Sequence, residues 1–178
     1  MAVQPAQLEG ALGSLSVKPK LVICDSQAFE FAAKVTPEDI TLTSFSILFA
    51  RYKGDLSAAA EGAKRLDALR DKDIVVISEG CTHHRQCGDI GAVKLPAWIK
   101  KYTGKELDYR FTSGDGFDVP AGAKLVIHCG ACMLTPKQMQ NRLQYCSGAG
   151  VPVTNYGVAI AYMKGIFKRG LGLFKELC

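Results

Sequence analysis

The chain has 178 residues, 48% hydrophobic and 22% charged, with seven cysteines and a net charge of +5. These proportions are those of a globular protein that can bury a real core without disulfide staples. The basic residues are scattered, and no RNP-like aromatic motif or arginine-rich segment accompanies them, so no nucleic-acid partner is expected. The opening residues MAVQPAQLEG lack both a basic region and a long apolar run, and no stretch approaches eighteen uninterrupted apolar residues. No membrane association is therefore expected, and the chain reads as a cytoplasmic protein, or an organellar one in a eukaryotic source. In such a reducing compartment an odd number of thiols points to metal binding or redox chemistry rather than to structural disulfides.

Taken in chain order, KLVIC (residues 20–24) is a compact β-type run that breaks at Asp25-Ser26-Gln27, and AFEFAAKV then has a helix-compatible pattern. Thr36-Pro37-Glu38-Asp39 interrupts it, ITLTSF is extended, and SILFARYKGD leads into an Ala-rich helix over about residues 55–70. In that helix Leu56, Ala60, Ala63, Leu66 and Leu69 recur at helical spacing and should face a core. IVVIS (74–78) is a continuous apolar strand of the kind buried on both faces of a parallel sheet, and it runs into Glu79-Gly80-Cys81. A cysteine-histidine loop follows, then a short helix around LPAWIKKY, an alternating strand LDYRF and the loop SGDGFDVPAG. KLVIHC (124–129) is a second apolar strand ending in cysteine, followed by a helix near residues 136–144 that Thr135 is placed to cap. VPVTNY is the next strand, and residues 158–177 suit one final amphipathic helix.

Alternating strands and helices imply an α/β fold, with a parallel sheet built from βαβ units and covered by helices on both faces. Ligands in such folds gather beyond the carboxyl ends of the strands. Both cysteine clusters fall there. The first is Cys81-Thr82-His83-His84 with Cys87 following; the second is His128-Cys129-Gly130-Ala131-Cys132, with forty-four residues between His83 and His128. All three histidines of the chain lie in these clusters, beside four of its seven thiols. A C-x-x-C pair turns two thiolates toward one ion, and Gly130 and Ala131 permit the tight backbone this needs. A thioredoxin-like redox pair would leave the CTHH loop on the matching strand end unexplained. Two metals fit the residues about equally. Zinc would take four closed ligands, Cys81, His83, Cys129 and Cys132. A cubane would take Cys81, Cys129 and Cys132, leaving one iron for a histidine, Glu79, Asp89, water or an incoming ligand.

CTHH, HCGAC, DSQAF, LTSFSILFARYKGD and VPVTNYGVAIAY together resemble the carboxyl-terminal half of HydF, the maturation GTPase family of FeFe hydrogenases. The resemblance implies that Cys81, Cys129 and Cys132 ligate a 4Fe-4S cluster. It also implies that His83 and His128 match the histidines of the motif, near the open iron or an incoming diiron unit. On that resemblance the chain is a scaffold or carrier for the transient diiron precursor. Its implied partners are apo-hydrogenase and the radical-SAM maturases, with a homodimer possible. Residues 1–50 would be the end of the dimerisation domain and residues 51–178 the cluster-binding domain. No G-x-x-x-x-G-K-S/T is present, since Gly104-Lys105 is followed by Glu106 without the glycine loop, so neither GTP binding nor enzymatic activity is expected.

The remaining cysteines have plainer readings. Cys24 ends a buried strand and Cys146 lies in a helix, both as small core hydrophobes. Cys87 is an unassigned thiol near the site, and Cys178 is terminal. Asp25-Ser26-Gln27 follows a strand and could be a binding loop, although Asp and Ser there suit a helix cap better, while Tyr156-Gly157 either walls the metal pocket or simply packs.

Overall fold

The computed structural model describes residues 1–80 and 90–174. After a short turn at Pro5–Gln7, the elements are α1 (Leu8–Ser14), β1 (Leu21–Cys24), α2 (Phe29–Val35), β2 (Thr41–Ser44), α3 (Phe45–Lys53) and α4 (Leu56–Lys64). A 3-10 turn (Arg65–Ala68) leads into β3 (Ile74–Glu79). A wide turn at Ile90–Lys94 then opens α5 (Leu95–Thr103), followed by β4 (Asp108–Ser113), β5 (Ala123–His128), α6 (Pro136–Gly148), β6 (Val153–Asn155), α7 (Tyr156–Met163) and α8 (Phe167–Leu171).

The strands form two parallel sheets rather than one, a pair β1-β2 and a four-stranded sheet in the order β4-β3-β5-β6. In the larger sheet the two apolar runs lie side by side, with Val76 opposite Val126 and Ser78 opposite His128. Because side chains alternate across a strand, Val75, Ile77, Leu125 and Ile127 pack with Leu95 and Ile99 of α5 and Ala159 and Ile160 of α7. Val76 and Val126 face the other way, onto Cys146 of α6. Helices thus cover both faces, as a parallel sheet requires. Around the smaller sheet Leu42, Phe29 and Ile47 form a second core with Ala60 and Ala63 of α4.

Two helical expectations change. Residues 45–70 are not a lead-in and one helix; α3 is a helix of its own, capped by Ser44, which accepts the Ile47 N–H, and ended at Gly54. Leu56, Ala60, Ala63, Leu66 and Leu69 are all buried as the spacing predicts, although Leu66 already lies in the 3-10 turn. The expected amphipathic helix over residues 158–177 is instead α7 and α8, separated by Gly165 at φ +71°. Residues 156–161 are all buried, because Val158 and Ala161 face one core while Tyr156, Ala159 and Ile160 face the other. A helix wedged between two cores has no polar face to show. Among the described residues, no helix is long and apolar enough to cross a membrane.

Candidate metal centre

β3 and β5 are neighbours, so their carboxyl ends meet. The Cys129 N–H donates to the Ser78 carbonyl at 2.8 Å, carrying the ladder one step beyond β5. In return the Gly80 N–H donates to Cys129 Sγ at 3.1 Å, and the Ala131 N–H approaches the same sulfur at 3.4 Å. Cys81 is the next residue in the chain after Gly80. It lies outside the described residues, as do His83, His84, Cys87, Asp89 and Cys178. Among the described residues, no three His, Cys, Asp or Glu side chains form a group able to hold a metal ion.

The second cluster is described in full. Cys132 is exposed and Cys129 half-buried. Between them Ala131, buried, takes a left-handed φ of +55° that side chains rarely adopt. Gly130 serves a different need from backbone freedom. A Cβ there would stand 3.2 Å from the Ser46 hydroxyl of α3, so the loop rests directly on that helix. Phe49, Met139 and Leu143 back the loop with an apolar wall.

His128 is buried, and both its ring nitrogens are engaged. Nδ1 lies 2.9 Å from the Cys129 carbonyl and Nε2 2.8 Å from an Arg142 nitrogen. A guanidinium can only donate, so Nε2 accepts and Nδ1 carries the proton. Burial pushes the imidazole down to about 4, and the Arg142 charge pushes the same way against the Cys129 carbonyl bond. Ligation of a metal by Nε2 would require giving up Arg142. That guanidinium also donates to the Glu79 carbonyl at 3.2 Å and to the Gly114 carbonyl, and it stacks on Phe117 at 4.8 Å. It therefore ties α6 to both strand tips from beneath.

The opposite face carries Glu79, buried at the end of β3. After residues 81–89 the chain is described again at Ile90-Gly91. A side chain at Gly91 would collide with the Tyr156 hydroxyl and reach within 2.9 Å of a Glu79 carboxylate oxygen. Glu79, Gly91 and Tyr156 thus stand together near the end of β3, with Tyr156 also part of the core of the larger sheet. Asp25, by contrast, caps locally, accepting the Gln27 and Ala28 N–H groups at 2.7 and 3.0 Å. Burial lifts the Cys146 thiol to about 11 and, with the Asp25 charge beside it, the Cys24 thiol to about 12. Both behave as core residues.

Two cations at the site escape the sequence reading. One is Arg142, whose only sequence signal is its place on the buried stripe Met139, Arg142, Cys146. The other is Lys53, which ends α3 and donates to the Ala131, Cys132 and Leu134 carbonyls at 3.1, 2.9 and 2.9 Å.

Residues 57–173 match the family model described as the hydrogen maturase F tetramerization domain, and residues 1–54 match that of the hydrogen maturase F dimerization domain. No curated protein matches the chain.

Proposed function

This chain belongs to the hydrogen maturase F (HydF) family and serves hydrogenase maturation, and from that premise we propose that it is a non-enzymatic scaffold for a 4Fe-4S cluster held by Cys81, Cys129 and Cys132. The observation that carries the reading is the 3.1 Å approach of the Gly80 N–H to Cys129 Sγ, one residue before Cys81. It supports a thiol at the end of the first strand acting together with two at the end of the second.

The donor set present fits such a group. Backbone N–H groups directed at Cys129 Sγ favour its thiolate over its thiol, since charge-assisted bonds to an anion are the stronger ones. The exposed Cys132 is accessible to an incoming iron. Arg142 and Lys53 supply positive charge under and beside a centre whose thiolates are negative. When bound, a cluster on three thiolates supplies one iron with an exchangeable position. The residues of the chain do the rest. Met139, Leu143 and Phe49 give the cavity behind the loop an apolar lining. His128 orients the Cys129 carbonyl through Nδ1, and Glu79, His83 and Asp89 are our candidates for the fourth position. The cargo we propose is a diiron precursor, taken up from the radical-SAM maturases and delivered to apo-hydrogenase. We propose self-association as its working state, in keeping with the descriptions of both matched domains.

Anaerobic reconstitution tests this directly. Wild-type protein is expected to take up about four iron and four sulfide per chain, and serine at Cys81, Cys129 or Cys132 to lower that yield sharply. One zinc per chain with no sulfide would instead establish a zinc-stabilised interaction module on the same side chains. An unchanged cluster yield in all three serine variants would end the proposal.

A further inference from the structure

We propose that Lys53 is a positioning residue for the metal centre: its ammonium holds the C-x-x-C loop in the one conformation that presents Cys129 and Cys132 together. The inference rests on the cluster-carrying reading above.

The geometry is specific. An ammonium has three protons and no acceptor, and the three of Lys53 are matched by three carbonyl oxygens of one short loop, those of Ala131, Cys132 and Leu134. Three carbonyl dipoles directed at one point repel one another unless a cation sits there. The loop also needs an external hold, because Ala131 stands at φ +55° without being glycine. Its peptide groups are gripped from both sides, the N–H by Cys129 Sγ at 3.4 Å and the carbonyl by Lys53 at 3.1 Å. Any release of the carbonyl therefore reaches the ligand sulfur through one residue.

Lys53 is itself fixed. Its Nζ lies 4.9 Å from the centre of the Phe49 ring, and Gln140 of α6 donates to the Lys53 and Gly54 carbonyls at 3.3 and 3.1 Å. On α3, Ser46, Phe49 and Lys53 recur at helical spacing along one face. Ser46 abuts Gly130, Phe49 backs the loop and Lys53 closes it. The helix that runs along the C-x-x-C loop thus belongs to the segment matched by the dimerization model, while both cysteines belong to the segment matched by the tetramerization model. Cluster retention then depends on a residue outside the segment that carries the thiols.

The test compares wild type with Lys53→Met, which keeps the chain length of the side chain and removes its charge and donors, and with Lys53→Arg, which restores both. Each is reconstituted anaerobically with iron and sulfide, then read by iron loss to a ferrous chelator and by the electron paramagnetic resonance spectrum after reduction. Hydrogen exchange is followed in the metal-free proteins. Loss of three charge-assisted bonds should speed iron loss and the exchange of amides 130–134 by roughly tenfold or more in Lys53→Met, with β3 and β5 amides unchanged. The spectrum should shift in the methionine variant and return toward wild type in the arginine one. Should the methionine variant be insoluble, Lys53→Gln is expected to give the same pattern. Wild-type rates and spectrum in the variant would overturn the proposal. If wild type itself takes up no cluster, the cluster reading fails, whereas unaltered loop exchange in the metal-free variant would independently refute the role of Lys53.

Discussion

Replacing Arg142 with methionine isolates the interaction that holds the two strand tips together from below. The guanidinium is buried, and it donates to the Glu79 carbonyl at 3.2 Å, to His128 Nε2 at 2.8 Å and to the Gly114 carbonyl, with Ser78 Oγ at 3.4 Å as a weaker contact. Methionine fills much of the same volume but withdraws the donor from two buried acceptors, the Glu79 carbonyl and His128 Nε2, and from the part-buried Gly114 carbonyl, each loss costing about 1–3 kcal/mol. Relief of the desolvated charge returns part of this, as at other buried charges, so the net loss should be about 3–5 kcal/mol. That is a large share of the roughly 5–15 kcal/mol that stabilises a typical domain. At about 2–4 °C per kcal/mol for this size, Tm should fall by roughly 10 °C. Urea unfolding of the metal-free protein measures the loss, and NMR titration of the His128 ring measures a second consequence. With the Arg142 charge gone, the imidazole should rise from about 4 while staying depressed by burial. A stability loss under about 1 kcal/mol, or an imidazole that does not move, would show that Arg142 does not join the tips as described.

Two further outcomes follow from the packing and the charges. Because His128 takes up a proton near pH 4 when folded and near 6.5 when unfolded, acid favours the unfolded metal-free chain. The stability from this group is complete above pH 6.5 and is lost by about 3 kcal/mol as pH falls to about 4. Urea midpoints of His128→Gln should lack that part of the slope, and an identical pH profile for the variant would contradict the assignment. Gly62 of α4 lies against β6, where an added Cβ would overlap the Val153 carbonyl oxygen and stand 2.6 Å from its carbon. Gly62→Ala should therefore lose about 1–3 kcal/mol despite the better helix former. Gly10→Ala, with nothing within 4 Å, should be neutral or slightly stabilising. A Gly62 variant as stable as its parent would mean that α4 does not cover the β6 edge so closely.

Much of the architecture is legible in the residues. The apolar runs IVVIS and KLVIH form strands because β-branched residues suit a pleated surface buried on both sides. Thr135-Pro136 starts a helix because the threonine accepts the Gln138 N–H and proline costs nothing in a first turn. The cysteine that follows β5 can likewise be read from local sequence. Lys53 and Arg142 cannot, because a cation in a helix looks like any solvated residue until its partners, 78 and 64 residues away among others, are brought beside it.

What the sequence determined alone is the succession of strands and helices, fixed by hydrophobic period, and the family, carried by motifs that survive as short runs. Tertiary structure decided that β3 and β5 lie side by side, that α7 is buried between two cores rather than half exposed, and that two distant cations hold the tips and the C-x-x-C loop. Strand order and charge burial depend on which apolar faces find each other across the whole chain. No window of ten or twenty residues contains that information.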